Sequence, residues 1–310
     1  MDVVSLFSGA GGLDLGFIQA GHRIVWANDL FHDAVLTYRA NIGNHIVEQD
    51  IHNIPSEAIP DCDIVIGGFP CQGFSIANTG RHADDERNIL YLQLLRVIHD
   101  KQPLFFLAEN VKGILSLEHG AVFENILNDF GNLNYQVQYR VLNAADYGVP
   151  QRRERVIIVG VRNDIDFHFE YPEPTHSKDG ANGLPHWVSV REAIEHFPNP
   201  DEPNNIPNHT YSKYKLVFNG FLGKRRLDPD MPSPTITARG DDKGGVVVHA
   251  HYNGQRRMTG RELAAIQTFP DDFAFQGNNS SVYRQIGNAV PPMLAFHIAN
   301  QFNLFEDYGR

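Results

Sequence analysis

A chain of 310 residues with 42% apolar and 20% charged side chains has the composition of a soluble globular protein, and its length suits one large domain with a smaller one appended, or two ordinary domains. There is no run of about 18 apolar residues, and the opening MDVVSLFSGAGG lacks the basic start and apolar centre of a secretory signal, so a cytoplasmic protein with no membrane partner is expected. The formal charge of -11 counts against a nucleic-acid partner, but residues 171–260 carry 11 Lys and Arg against 10 acids, leaving 15 against 27 in the remainder.

In chain order, VVSLF (3–7), HRIVWAND (22–29), HIVEQD (45–50), DIVIGGF (63–69) and LFFLAEN (104–110) read as strands. Helical stretches at 12–20, 32–40 and 90–99 separate them, the pattern of a parallel sheet with helices on both faces. QVQYRVLN (136–143) and ERVIIVGVR (154–162) add two more strands. Beyond about Pro172, proline, asparagine and histidine crowd the chain, and helical patterns return in TGRELAAIQTF (259–269) and PPMLAFHIANQF (291–302). The expected organisation is a large α/β domain from 1–173 and 258–310, interrupted by a small irregular domain at 174–257.

The first strand opens into FSGAGGLDLGF, where Gly9 and Gly11 match the start of a dinucleotide fingerprint but Asp14 stands at its third glycine. Asp29 and Asp50 close the next two strands. In doubly wound sheets ligands bind at these carboxyl ends, so glycine backbone and two acids there suit a nucleoside without a phosphate clamp. S-adenosylmethionine fits such a site better than a nicotinamide dinucleotide.

Cys62 and Cys71 are the only 2 cysteines, too few for a disulfide framework. Cys62, at the start of a buried strand, reads as core. Cys71 follows the fourth strand on the turn GGFPCQGFS, and Glu109 ends the fifth. Arg153 and Arg155 enter another strand in PQRRERVIIVG. A thiol, a carboxylate and a fixed cation beside a methyl donor are what methylation of cytosine at carbon 5 requires. A thiolate adding to carbon 6 makes carbon 5 nucleophilic, a carboxyl group holds ring nitrogen 3 and the amine, and an arginine disperses charge at the carbonyl.

FSGAGG, GGFPCQGFS, ENV, QRRER, RELAAIQTFPDDF and QIGNAVPP together resemble, in order and spacing, the motifs of bacterial cytosine-5 DNA methyltransferases of restriction-modification systems. The resemblance implies a Rossmann-like S-adenosylmethionine-dependent methyltransferase sheet with helices on both faces, plus a small, irregular, mostly-β target-recognition domain. It makes Cys71 the nucleophile, Glu109 the residue that reads and activates cytosine, and Arg155, with Arg153 nearby, the support of that pocket. Phe7, Gly9, Gly11, Asp29, Leu30, Asp50, Ile51, Pro70, Leu90 and Asn288 would line the cofactor site, which releases S-adenosylhomocysteine as product. Leu30 departs from the aromatic residue that some members place after the ribose acid.

The substrate implied is double-stranded DNA with the target base turned out of the helix. Residues 73–88 read as a loop that closes over it, with Gln72, Ser75 and Arg87 at the DNA. Thr235 and Ile236 match the family's Thr-aliphatic pair, and Arg239 is a candidate for reading guanine. Residues 213–226 (KYKLVFNGFLGKRR), with 5 bases and no acid, suit phosphate contacts. No metal site is expected, and His249 and His251 are expected at the surface. The enzyme is expected to act as a monomer, functionally paired with a restriction endonuclease. Three rivals stand beside this reading: a tRNA cytosine-5 methyltransferase, a DNA-binding module without catalysis, and a nicotinamide oxidoreductase.

Overall fold

The structure, a computed structural model, describes residues 1–69, 89–211, 213, 226–238 and 250–308. The strands are β1 (Asp2–Leu6), β2 (Arg23–Asp29), β3 (Ile46–Glu48), β4 (Ile64–Gly68), β5 (Phe105–Val111), β6 (Tyr135–Asn143), β7 (Gln151–Arg152), β8 (Glu154–Arg162) and β9 (Ser233–Pro234). The helices are α1 (Gly12–Gln19), α2 (His32–Asn41), α3 (Ile89–Lys101), α4 (Ala121–Gly131), α5 (Val190–Ile194), α6 (Gly260–Ile266), α7 (Asn279–Asn288) and α8 (Pro292–Tyr308).

The main sheet has 7 strands in the order β3-β2-β1-β4-β5-β8-β6. β1 to β5 pair in parallel, as their apolar runs and intervening helices require. β8 runs antiparallel between β5 and β6. A strand's own residues do not fix that direction; it follows from how the chain turns back through 144–153.

Alternation along the strands sends successive side chains to opposite faces. Val3 and Phe105 join Phe17 of α1 and Leu294 and Phe302 of α8 on one face. Val4 and Phe106 join Leu94 of α3 and Ile126 and Phe130 of α4 on the other. Phe106 lies opposite Gly160 of β8, and any side chain at Gly160 would collide with its ring. Gly16 of α1 likewise lets the backbone of α8 approach, since a β-carbon there would strike Ala295 and the main chain of Phe296.

A third core joins Val190, Ile194, Leu227 and Ile236 to Met258, Leu263, Phe269 and Ile286, with Ala10 at its edge. Among the described residues from 174 to 257, regular structure amounts to α5, a 3-10 turn at Ala181–Gly183, the short β9 and isolated bridges. β9 pairs in parallel with β7, which places Thr235 and Ile236 beside the QRRER stretch.

Cys62 is partly buried against the second core, and burial pushes its thiol up to about 12. His251 departs from its expected exposure: it is buried, 3.8 Å from Glu262, and its Nδ1 accepts the Asn253 N–H. Two chelating arginine bonds to Glu262, from Arg256, close that corner at 2.8 and 2.6 Å. Among the described residues no group of His, Cys, Asp and Glu could hold a metal ion.

Candidate functional site

The ends of β1, β2 and β3 form one edge. After β1 the chain turns through Phe7 and Gly9, both at φ 56°, and Gly11 at φ 88°. That region favours glycine, and at Gly11 a side chain would also run into Ile42 and the Tyr38 ring. The turn is held from the side: the Gly9 N–H donates to Asp29 Oδ2 at 2.8 Å and the Phe31 N–H to Oδ1 at 2.7 Å. Burial pushes the Asp29 carboxyl up, and the backbone N–H groups and Arg284 pull against it. Arg284, on α7, places its guanidinium 3.5 Å over the Phe31 ring, a contact between residues more than 250 apart that no motif marks.

Leu30, between Asp29 and Phe31, is 66% exposed, an apolar side chain left in solvent beside a half-buried acid. Asp50 caps the turn Ile51–Asn53: it accepts the His52 N–H at 3.0 Å and meets the His52 ring at 2.7 Å, which holds its carboxyl below the usual range. Ile51 and the partly buried Leu90 pack in the second core. Arg96 of α3 pins this turn through the carbonyls of Ile51 and Ile54, at 3.1 and 3.0 Å. Asn288 is exposed at the end of α7, and the adjoining Ala289 and Val290 press on Gly12 so closely that only glycine fits there.

Asp14, which breaks the dinucleotide pattern, lies beneath the same turn and is completely buried. It accepts from Ser5 Oγ at 2.7 Å and from the Tyr38 hydroxyl at 2.8 Å. With two neutral donors and no cation against it, burial pushes its pKa up to about 6. Tyr38 gives its single proton to Asp14, so His45 Nε2, 3.0 Å away, donates to the phenol oxygen.

The ends of β4, β5 and β8 form the other edge. Gly68 and Glu109 are register partners, and a side chain at Gly68 would press on the Glu109 carboxylate. Arg155 Nε stands 2.7 Å from Glu109 Oε1, each residue 8% exposed. Arg155 Nη1 donates to the Glu154 carbonyl at 2.8 Å, which fixes the guanidinium plane. Asn110 donates to the Phe69 carbonyl at 3.0 Å, tying the end of β4 to β5 at the last described residue before Pro70. A cavity of about 400 Å³ opens here, lined by Lys112, Asn143, Arg152, Glu154, Arg155 and Thr235.

Pro70, Cys71, Gln72, Ser75, Arg87 and Arg239 lie outside the described residues. So does most of the basic stretch, of which Lys213 and Arg226 are described. The Lys213 ammonium is paired with Asp201 at 2.9 Å.

Two residues stand differently from their expected roles. Arg153 is 1% exposed, and its guanidinium donates to the carbonyls of Ile236, Gly287 and Ala289, each at 2.9 Å. All three bonds hold main chain, so in this structure Arg153 joins the QRRER stretch to residues 236, 287 and 289. Ile236, expected at the DNA, is 3% exposed and packs in the third core. Its N–H donates to Gln151 Oε1 at 2.8 Å, and its side chain is directed inward. Gln151 also donates to Gln267 at 2.8 Å, and Gln267 to the Ile286 carbonyl at 2.7 Å. Thr235 lines the cavity, with its hydroxyl donating to the Arg152 carbonyl at 2.9 Å.

A family model described as C-5 cytosine-specific DNA methylase matches residues 1–303. The type II methyltransferase M.NgoFVII of Neisseria gonorrhoeae is 44% identical over 320 residues, covering 96% of this chain and 85% of the relative. M.BspRI of Lysinibacillus sphaericus, also a type II methyltransferase, is 40% identical over 98% of this chain and 82% of its own. Among solved structures, a prophage-encoded E. coli chain assigned as a DNA modification methyltransferase superposes with TM-score 0.78 at 28% identity, covering 99% of both chains. The S. pombe Dnmt2 methyltransferase shares the fold, with TM-score 0.73 at 20% identity over 100% of this chain and 99% of its own. The sheet is thus the Rossmann-like sheet of methyltransferases, and the chain, itself a methyltransferase, belongs to the C-5 cytosine-specific DNA methylase family.

Proposed function

We propose that the protein transfers a methyl group from S-adenosylmethionine to carbon 5 of a cytosine turned out of duplex DNA, through a covalent bond between Cys71 and carbon 6. The observation that carries the reading is the Glu109–Arg155 pair: a buried carboxylate held 2.7 Å from a guanidinium at the end of β5, beside the strand that leads into Cys71. Glu109 holds ring nitrogen 3 and the exocyclic amine, and Arg155 fixes that carboxylate and faces the cavity where the pyrimidine carbonyl would lie. Asn110, by clamping the Phe69 carbonyl, sets where the thiol-bearing segment departs. A base within a stacked duplex is out of reach of a thiol, which is why the substrate must be extruded.

The glycine turn, Asp29, Asp50 and the exposed Leu30 fit the cofactor: main chain for close approach, acids for hydroxyl and amine donors, and an apolar surface for the adenine. S-adenosylmethionine supplies an electrophilic methyl group at that edge. Phe7, Gly9, Gly11, Ile51, Pro70, Leu90 and Asn288 complete its surroundings, and residues 174–257 supply target recognition. The type II methyltransferase relatives support duplex DNA as substrate, and the same reading takes the protein as a cytoplasmic monomer functionally paired with a restriction endonuclease.

Cys71→Ala removes the nucleophile and is expected to abolish methyl transfer while retaining DNA binding. The wild type is expected to be trapped covalently by duplex DNA carrying 5-fluorocytosine. Turnover by the alanine variant would refute the thiol's role. Label appearing in tRNA, and none in duplex DNA offered in parallel, would refute the substrate.

A further inference from the structure

Neither the chemistry assigned to Cys71 nor the contacts assigned to the cofactor make use of Asp14, although a completely buried carboxyl group is costly to keep. Its place suggests a purpose. The glycine turn above it has two sides. A β-carbon on Gly9 would meet nothing within 4 Å, so that side is open to a ligand, whereas Gly11 rests against Ile42 and the Tyr38 ring. Tyr38 continues inward to Asp14, which also takes the Ser5 hydroxyl from β1.

The elements around Asp14 supply hydroxyls and a second acid. β1 contributes Ser5, and α2 contributes Tyr38, whose oxygen is met by His45 from the turn before β3. Burial lowers the His45 pKa, which leaves its ring neutral at pH 7 and above. β2 brings Asp29, whose negative charge opposes ionisation of Asp14. α8, packed along α1, brings the apolar Leu294, Ala295 and Ile298 into the adjoining core. An ionised Asp14 is therefore a negative charge balanced by dipoles alone, directly behind the surface that a ligand would meet.

S-adenosylmethionine and S-adenosylhomocysteine carry the same hydrogen-bonding groups and differ by one methyl group and one positive charge on sulfur. Hydrogen bonds at the turn cannot separate them. A charge behind it can, because electrostatic attraction is weakly screened where water is excluded. We propose that Asp14 is a specificity-determining residue, whose negative charge favours the sulfonium cofactor over the neutral thioether product and so helps to clear the site after transfer. This rests on S-adenosylmethionine being the cofactor. Coupling between two sites is reciprocal, so a cation that prefers the ionised carboxylate also promotes its ionisation. Binding of the sulfonium near pH 6 then releases a fraction of a proton, and binding of the thioether releases none.

The test is calorimetry of both compounds between pH 5 and 7.5, each in two buffers of different ionisation enthalpy. Taking the ratio of the two dissociation constants cancels effects on the groups the compounds share. The affinity for S-adenosylmethionine relative to S-adenosylhomocysteine is expected to rise about fourfold over that range as Asp14 ionises, near the lower end of ordinary coupling between sites. Asp14→Asn is expected to flatten the ratio and abolish the proton release, although His45, Asp29 and the Asp50–His52 pair all remain. Tyr38→Phe takes a donor from the carboxylate and should move the rise to higher pH, which provides the test if the asparagine variant fails to fold. A ratio independent of pH in wild type, a rise that survives in Asp14→Asn, or one that stays in place in Tyr38→Phe would overturn the inference and leave the cofactor standing. Wild type that binds neither compound would overturn both.

Discussion

At the ends of β1, β2 and β3 the structure offers mostly main chain: a glycine turn, and acids whose oxygens are held by backbone N–H groups. At the ends of β4, β5 and β8 it offers ionic side chains, Glu109 against Arg155 and Lys112 against Glu154. Even the buried carboxylates differ. Glu109 has a guanidinium at 2.7 Å, and Asp14 has only two hydroxyls. In the function proposed above, the first edge accepts the cofactor closely and the second bears charge during the reaction, because a fixed ion pair in a poorly solvated site stabilises developing charge without reorganising.

The sharpest way to break this contrast is Glu109→Gln, which keeps the shape of the side chain but leaves Arg155 buried without its counter-charge. Single-turnover methyl transfer is expected to slow roughly a thousandfold, the scale of a lost general acid or base. A rate within tenfold of wild type would place the chemistry elsewhere. Arg153→Met tests the claim that the neighbouring arginine is structural. It orphans the Ile236 and Gly287 carbonyls and leaves Ala289 only the Gln267 amide at 3.4 Å, and a loss of about 2 kcal/mol in urea unfolding is expected, since each buried group left unmade costs about 1 kcal/mol or more. Unaltered stability with slowed turnover would restore Arg153 to the chemistry.

Asp14→Asn addresses the first edge. A carboxyl raised to about 6 from its usual value near 4 stays protonated in the folded chain while the unfolded chain ionises, so its stabilising contribution is full at low pH and is lost as pH rises to 6. The loss amounts to about 3 kcal/mol at 1.36 kcal/mol per pKa unit, and the asparagine variant should lack that slope between about pH 4 and 6. An identical pH dependence in both proteins would mean that Asp14 ionises freely. The smallest effect is expected at Leu30, where Leu30→Trp offers a broad ring to the adenine. Calorimetry with S-adenosylhomocysteine should show roughly fivefold tighter binding, about 1 kcal/mol of stacking. Weaker binding would mean that the adenine does not lie on residue 30.

Apolar runs made β1, β4, β5 and β8 legible, because strands buried on both faces advertise themselves as continuous Val, Ile and Phe, while the edge strand β6 showed itself by alternation, QVQYRV. Helix α4 has Val122, Phe123, Ile126 and Phe130 at helical spacing, a signal that was there to be used. α7 is harder: Val282, Tyr283 and Ile286 sit among polar residues, and the QIGN motif within it draws attention to chemistry over shape. At the site, Asp29, Glu109 and Arg155 were visible as residue types at strand ends. The structural work of Gln151 and Arg153 was not, because their partners are main-chain atoms some 83 to 136 residues away, and a carbonyl has no letter of its own. The burial of Ile236 was hidden for the same reason.

The way Gln151 and Arg153 grip residue 236 has a broader implication. They hold its N–H and its carbonyl, atoms that every amino acid other than proline possesses. A segment seated in this manner can exchange nearly all its outward side chains without loosening from the scaffold. One catalytic body could then carry interchangeable readers of different DNA words, with selection free to rewrite the word and leave the chemistry untouched.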